Sequence, residues 1–413
     1  MKKKYDIIII GGGPCGLSCA AELADSDLDV LLIDNKSVND RARFDVKGTS
    51  YKFIHDMSLD KSILSKQNHF GMYSRNEYKI FRYNKSRLCV VELKKALEIL
   101  KKRTKCKFGN STVLRIKKNN NSIILLDDKD QNYETSLLID CSGNSFVAAN
   151  SLKLKKPEVL YHCVSLVLEN CIIPSDKMNE ISFYMDMSVC NSAVWFYPID
   201  KSHCQVGLGE MAPYKIASQD QLLDSIKKVK ELYPFKDMIY RSKIREDSMV
   251  FGHNPVIQPM KKMQLDNLMF AGDCAGMSSP LVGEGFRLAI IGGKNAGIVS
   301  KKAFQNKDLS VESLKEHEQM WWKRFGKYYI WTIIMRHLIC KYFEPGDWDK
   351  IINQLKKVDE KEFWEIINSR LTFKRFKKLI SFKMVIDILS DDLLKLIPRF
   401  ALFRKRYGTS SII

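Results

Sequence analysis

Three glycines and an aspartate near the start of the chain carry the clearest chemistry. Gly11, Gly13 and Gly16 stand in G-x-G-x-x-G register within GGGPCG, and Asp34 follows eighteen residues after the third glycine. In such a turn the first glycine permits a tight reversal, and the second lets backbone N–H groups approach a pyrophosphate. The third lets a helix pack closely on the preceding strand. A helix opening at Pro14 and Cys15 would aim its free N–H groups at the phosphates. Asp34 would accept hydrogen bonds from ribose hydroxyls, so the chemistry read here is dinucleotide binding.

A second group lies in AGDCAGMSSPLVGEGFRLAIIGG, residues 271–293. Gly272 and Asp273 end an apolar run, where a carboxylate can accept from a ribityl hydroxyl of a flavin. Pro280, Gly283, Glu284 and Gly285 shape a turn that opens a helix at Phe286. Its free N–H groups would face the flavin N1–C2=O edge, where negative charge collects on reduction. Trp195 and Tyr197 are two residues apart in a strand-like run and so share one face. They could wall a substrate cavity or belong to the sheet core. Tyr51, His55 and His253 are the candidate proton donors, although nothing local orients them. No cysteine or histidine spacing supports a metal.

These residues need elements to hold them. Residues 7–10 form a β-branched apolar run, as a strand buried on both faces requires. Residues 17–23 have helical spacing, and 30–33 form a second buried strand. Residues 35–82 are polar and without a clear period. A helix is predicted over 93–101, with strands near 111–116, 122–126 and 137–139. From 160 to 209 the pattern alternates with period two, as in a mostly antiparallel sheet. A helix over 218–232 follows, then a buried strand near 267 and a helix through 298. From 301 onward the chain reads as helical. The predicted class is α/β, a discontinuous Rossmann-like FAD-binding domain (1–55, 80–158 and 262–300) with an inserted β-sheet substrate domain (56–79 and 159–261). The C-terminal helical region is 301–413.

The 413 residues are 45% hydrophobic and 28% charged, and the formal net charge is +19. Part of that excess suits solvated lysine-rich faces, and part favours an anionic partner such as a phospholipid surface or a phosphorylated substrate. Nucleic acid is not expected. About half of the charge lies after residue 300. There, residues 321–343 are dense in aromatics, and residues 371–408 alternate basic and apolar positions. This reads either as a membrane-surface element or as helices packed on the domain. The eleven cysteines are scattered without a C-x-x-C pair, which suits a reducing cytoplasm. No run approaches the ~18 apolar residues of a membrane span. The location expected is cytoplasmic, with peripheral contact at the inner face of the membrane.

GGGPCG, LLIDCSGNS, GDCAG and PLVGEGF occur in the order found in FAD enzymes of the para-hydroxybenzoate-hydroxylase fold. Within that group the chain most resembles the geranylgeranyl reductases, over about residues 5–300. Their W-x-F-P motif is matched by Trp195-Phe196-Tyr197-Pro198, followed after eight residues by Gly207-Leu208-Gly209. Ser192 stands where the family has an aromatic residue, and Tyr197 where it has phenylalanine. The resemblance implies FAD contacts at Cys15, Asp34, Asp273, Gly285 and Phe286, with Arg87 near the phosphates and Val113 on the adenine side. It implies that Trp195, Tyr197 and Pro198 wall an isoprenoid cavity. The family's Cys-Gly pair is absent, and Lys47-Gly48-Thr49 stands at about that place.

The activity implied is FAD-dependent saturation of C=C bonds in geranylgeranyl chains of glycerophospholipid precursors or prenyl diphosphate. The alternatives are an FAD-dependent aromatic monooxygenase and a prenyl-binding carrier on the same fold. No second G-x-G-x-x-G follows a strand, so the reductant, NADPH or a small electron carrier, would reach the flavin from outside.

Overall fold

A computed structural model describes residues 3–380, apart from 39–42, 120, 158–160, 187, 212–217, 257–258, 261 and 345. The first strand, Lys3–Ile10, lies at the centre of an eight-stranded sheet. It is flanked in parallel by Val30–Asp34 and Asn132–Asp140. Lys107–Asn110 and Leu268–Phe270 extend the sheet on either side, again in parallel. Parallel strands are covered on both faces, and accordingly Ile7, Ile8 and Ile9 are fully buried. Helices Pro14–Glu22 and Phe286–Gln305 lie together on one face. Side chains at Gly293 and Gly297 would collide with Cys15 and Glu22 respectively, so these glycines allow the close approach. The Ser18 hydroxyl adds a 2.9 Å bond to the Ile290 carbonyl.

The second sheet also has eight strands. Its path runs Lys243–Ile244, Tyr161–Glu169, Cys204–Met211, Val194–Pro198, Glu180–Tyr184, His69–Tyr73 and Tyr78–Arg82, with Val250–Asn254 added on Tyr161–Glu169. Every pairing is antiparallel except His69–Tyr73 with Glu180–Tyr184. One face packs Val164, Leu166, Phe196 and Leu208 into a core shared with Ile226 of helix Gln219–Val229. A smaller antiparallel sheet has the order Val46–Ser50, Leu88–Glu92, Ile63–Gln67, and two strands of the second sheet intervene in the chain between Ile63–Gln67 and Leu88–Glu92.

Two expectations need correction. Residues 35–82 are not irregular: they hold four of these strands and the helix Tyr51–Asp56. Each strand is only five residues long, and all but Tyr78–Arg82, which forms a hairpin with His69–Tyr73, pair with segments outside 35–82, so no local period announces them. The boundary at residue 80 falls inside Tyr78–Arg82, which pairs in the second sheet.

The second half of helix Val311–Tyr342, with helices Asp347–Leu355, Glu360–Ile367 and Phe373–Leu379, covers the other face of the second sheet. The first half packs Trp321, Trp322 and Phe325 into the core of the first sheet. Phe363 stacks on Phe81 at 3.6 Å between centroids and meets Phe70 edge-on at 5.1 Å. In residues 321–343, Trp321, Phe325, Met335, Leu338 and Phe343 are buried. That stretch is therefore packed on the protein rather than presented to a surface. Residues 381–408 of the basic stretch lie outside the described residues. Among the described residues, no helix is long and apolar enough to cross a membrane.

Candidate active site

The N-terminal turn is shaped by steric necessity. Gly11 has φ +102°, and a side chain there would strike the Cys141 carbonyl. A Cβ on Gly16 would overlap the Gly11 carbonyl oxygen. Gly13 differs, because a Cβ there would meet nothing within 4 Å. The space beside it is open, at the N-terminus of a nine-residue helix whose N-cap has no side-chain bond. Such a terminus offers free N–H groups and a positive dipole end to phosphates. Pro14 occupies the first turn, where its missing N–H removes no intrahelical bond.

Asp34 accepts from the Gly12 N–H through Oδ2 and from the Lys36 N–H at 2.7 Å through Oδ1. Its carboxylate therefore stands against the turn. Val113 is buried nearby in sequence to Ser111, whose N–H bonds the Asp34 carbonyl at 3.2 Å. The Cys15 thiol faces Cys141, with 3.3 Å between the sulfurs. Burial raises its pKa, so Cys15 offers a ligand its backbone rather than a thiolate. Asp140, which sequence reading did not single out, is fully buried and fixes the adjoining loop. It accepts from Ser142 N–H at 2.9 Å and Ala148 N–H at 2.8 Å. Arg87 is exposed, with its guanidinium over the Tyr83 and Trp364 rings at 5.0 and 5.3 Å.

Asp273 follows strand Leu268–Phe270 and faces the cavity wall. Its Oδ1 is sealed and has no hydrogen-bond partner. Burial raises this carboxyl to about 6, with Lys47 acting in the opposite sense. A buried acceptor without a donor is what a ribityl hydroxyl would satisfy. Gly283 has φ +66°, and its carbonyl accepts from Asn254 Nδ2 at 3.1 Å. The Glu284 carboxylate is taken by Arg287, at 2.6 and 3.0 Å, and by the Thr49 hydroxyl at 2.9 Å. Glu284 thus ties the turn to strand Val46–Ser50 and has only its backbone left for a ligand. Gly285 and Phe286 then line the cavity.

Asp273 gives a pH prediction for flavin-free protein. Its folded pKa lies above the unfolded value near 3.9, so the folded state holds the proton longer. Stability should therefore fall as pH rises from about 4 to about 6 and level off above. Asp273→Asn should remove that fall and raise the flavin-free Tm at pH 7, while weakening FAD binding. An unchanged pH–Tm curve would show that Asp273 is solvated or paired.

The cavity measures about 430 Å³ and extends from this turn across the second sheet to the C-terminal helices. Alternation along Val194–Pro198 decides what faces it. Val194, Phe196 and Pro198 are buried, whereas Trp195 and Tyr197 are half-buried and line the cavity. Pro198 was expected on the wall with them. It lies on the opposite face, as its position two residues from Phe196 requires, and its carbonyl accepts from Ser65 Oγ at 2.6 Å. Gly48 lies beneath Tyr197, and a Cβ there would come within 2.8 Å of the ring. Phe70, Phe183, Met335 and Phe363 complete an apolar lining.

None of the three candidate proton donors lines this cavity. His55 is exposed and paired with Asp60 at 3.0 Å, and the Tyr51 hydroxyl meets Lys66 at 3.3 Å. His253 is turned outward against His162, 2.9 Å between Nδ1 atoms. Tyr161, Cys163 and Arg336 do line it and had no local sequence signal. Burial pushes the Cys163 thiol up to about 11.

Residues 5–145 match the family model described as pyridine nucleotide-disulphide oxidoreductase. The chain is 24% identical over 391 residues to digeranylgeranylglycerophospholipid reductase 1 of Methanosphaera stadtmanae, covering 90% of this chain and 93% of that protein. A geranylgeranyl bacteriochlorophyll reductase-like protein from Thermoplasma acidophilum has a similar structure. Its TM-score is 0.76 at 17% identity, over 98% of this chain and 100% of that one. A variant of the halogenase PltM in complex with FAD superposes with a TM-score of 0.66 at 13% identity, over 98% and 96% of the two chains. The fold is that of FAD-dependent oxidoreductases, the cofactor is FAD, and the chain is an FAD-dependent oxidoreductase. The open cradle at Gly13 and the unpartnered Asp273 acceptor fit that cofactor.

Proposed function

We propose that this enzyme saturates carbon–carbon double bonds of geranylgeranyl chains in anionic isoprenoid lipids. The observation that carries the reading is the apolar cavity, which begins at Asp273 and the Gly283–Phe286 turn and is walled by Trp195 and Tyr197. The similarity to proteins named as geranylgeranyl-lipid reductases supports it. In this reading Gly11, Gly13, Pro14, Cys15, Gly16 and Asp34 hold the adenosine diphosphate of FAD, with Val113 beside the adenine. Gly272, Asp273, Gly283, Glu284, Gly285 and Phe286 hold its ribityl chain and ring edge. Arg87, engaged by two aromatic rings, belongs to the rim of the helical cover. The parallel sheet serves the cofactor, and the second sheet with its helical cover serves the lipid.

When bound and reduced by NADPH or a small electron carrier, FAD supplies the two electrons that saturate an alkene. The chain's own residues do the rest. An isolated alkene has no carbonyl to gather charge, so rate depends on alignment and on exclusion of water and oxygen. Trp195 and Tyr197 align the chain, and the roof of Met335, Ile339 and Phe363 excludes solvent. The Tyr161 and Tyr197 hydroxyls are both raised by burial. They keep their protons at physiological pH and are the phenols on the wall.

Anaerobic reduction of the holoprotein with dithionite, followed by addition of a geranylgeranyl lipid, tests the proposal. The expected result is reoxidation of flavin at the rate of lipid saturation. Reoxidation by oxygen alone, with an aromatic product hydroxylated, would replace it with the monooxygenase reading. A flavin inert to every electron acceptor would leave the carrier.

A further inference from the structure

Arg336 stands apart from the other polar groups of the cavity. It projects from helix Val311–Tyr342, is only 4% exposed, and yet lines the apolar cavity. Its Nε donates to the Pro280 carbonyl at 2.8 Å, and Nη1 donates to Ser192 Oγ at 2.9 Å. The guanidinium carbon lies 5.4 Å from the centre of the Tyr161 ring. A guanidinium keeps its proton in any protein and presents five donors, so donors on both terminal nitrogens remain.

The other cations of the cavity are matched. Lys47 pairs with Asp45 at 2.8 Å, and Arg287 pairs with Glu284 at 2.6 Å. Arg336 has no carboxylate within ion-pairing distance among the described residues. Of the two carboxylates on the wall, Glu284 is spent on Arg287 and Thr49, and Asp273 feels Lys47 rather than Arg336. A buried charge without a counter-charge is expensive. It is stabilised if an anion joins it.

We infer that Arg336, with Ser192 and Tyr161, forms an anion site that takes the phosphate or diphosphate of a prenyl lipid. Ser192 precedes Trp195 by three residues in one segment, so an anion bound at Arg336 adjoins the aromatic wall. The lipid tail then extends along Trp195 and Tyr197. The identity of the tail rests on the proposed function, whereas the anion site rests on Arg336 itself.

The test uses oxidised FAD-loaded protein without turnover, with binding read from the perturbed flavin spectrum. Titrants are geranylgeranyl diphosphate, geranylgeraniol and inorganic pyrophosphate. The diphosphate should bind roughly tenfold to a hundredfold more tightly than the alcohol, the range expected of hydrogen bonds to a charged group. Arg336→Gln should erase that gap and leave the affinity for the alcohol unchanged. Equal affinity for the two lipids in the parent, or a gap that survives Arg336→Gln, would overturn the anion site. Binding of pyrophosphate that is lost in Arg336→Gln, with no binding of either lipid, would keep the site, assign it to a free anion and remove the isoprenoid tail. Should Arg336→Gln fail to retain FAD, Arg336→Lys is read instead. Its point charge lacks the planar fork, so the gap should narrow, and an unchanged gap counts against the proposal.

Discussion

Gly13→Val is expected to fold and to purify without yellow colour. Gly13 has φ −81° and ψ −170°, a conformation open to any residue, and its added Cβ would meet no protein atom within 4 Å. Valine is a poor N-cap, which costs about 1 kcal/mol, so Tm should fall only modestly. The same side chain fills the space in which backbone N–H groups meet the FAD pyrophosphate. Affinity for FAD should drop by at least roughly a thousandfold, or about 4 kcal/mol. Gly16→Val supplies the contrast. Its Cβ would overlap the Gly11 carbonyl, so that protein should fail to fold. The ratio of visible to ultraviolet absorbance and the melting curve of each variant decide the matter. A folded, fully yellow Gly13→Val protein would mean that the phosphates lie elsewhere.

The nucleotide half of the molecule was legible because its signals are local. Ile7–Ile10 and Val30–Ile33 are short continuous apolar runs, and of the glycines between them Gly11 and Gly16 are required sterically while Gly13 leaves open space. The segment 35–82 was not legible for the opposite reason. Val46–Ser50 pairs with Leu88–Glu92, and His69–Tyr73 pairs with Glu180–Tyr184 across more than a hundred residues. Period-two alternation was enough to put Trp195 and Tyr197 on one face, and applied strictly it also separates Pro198 from them. Tyr51, His55 and His253 have side chains able to move protons, but type alone does not say which way a side chain points. Arg336 meets Ser192 from 144 residues away, a contact that exists only once the C-terminal helices have closed over the sheet. Aromatic density in residues 321–343 did not distinguish a membrane face from a helix packed on the domain, since both require a broad apolar surface; Trp321, Trp322, Phe325 and Tyr329 join the core of the first sheet.

Trp195→Ala should separate the wall from the core. The Trp195 ring lies over Gly207 and 6.5 Å from the Tyr197 ring, on the half-buried face of its strand. A fully buried tryptophan replaced by alanine costs about 3–5 kcal/mol. Part of this ring borders the cavity, so the loss should fall below that range and FAD should remain bound. Phe196→Ala is the control, because Phe196 is 1% exposed and stacks on Phe235 at 5.1 Å in the opposite core. That variant should show the full core penalty. The kinetic effects should be reversed in order. An alkene displaced by about 1 Å from its reacting partner can lose roughly a hundredfold in rate, so flavin reoxidation by a geranylgeranyl lipid should slow by about that factor in Trp195→Ala. Dithionite reduction and reoxidation by oxygen need no aligned lipid and should be unchanged. A Trp195→Ala protein as unstable as Phe196→Ala would place the ring in the core. One that reoxidises with lipid at the parent rate would leave the cavity without an isoprenoid to align.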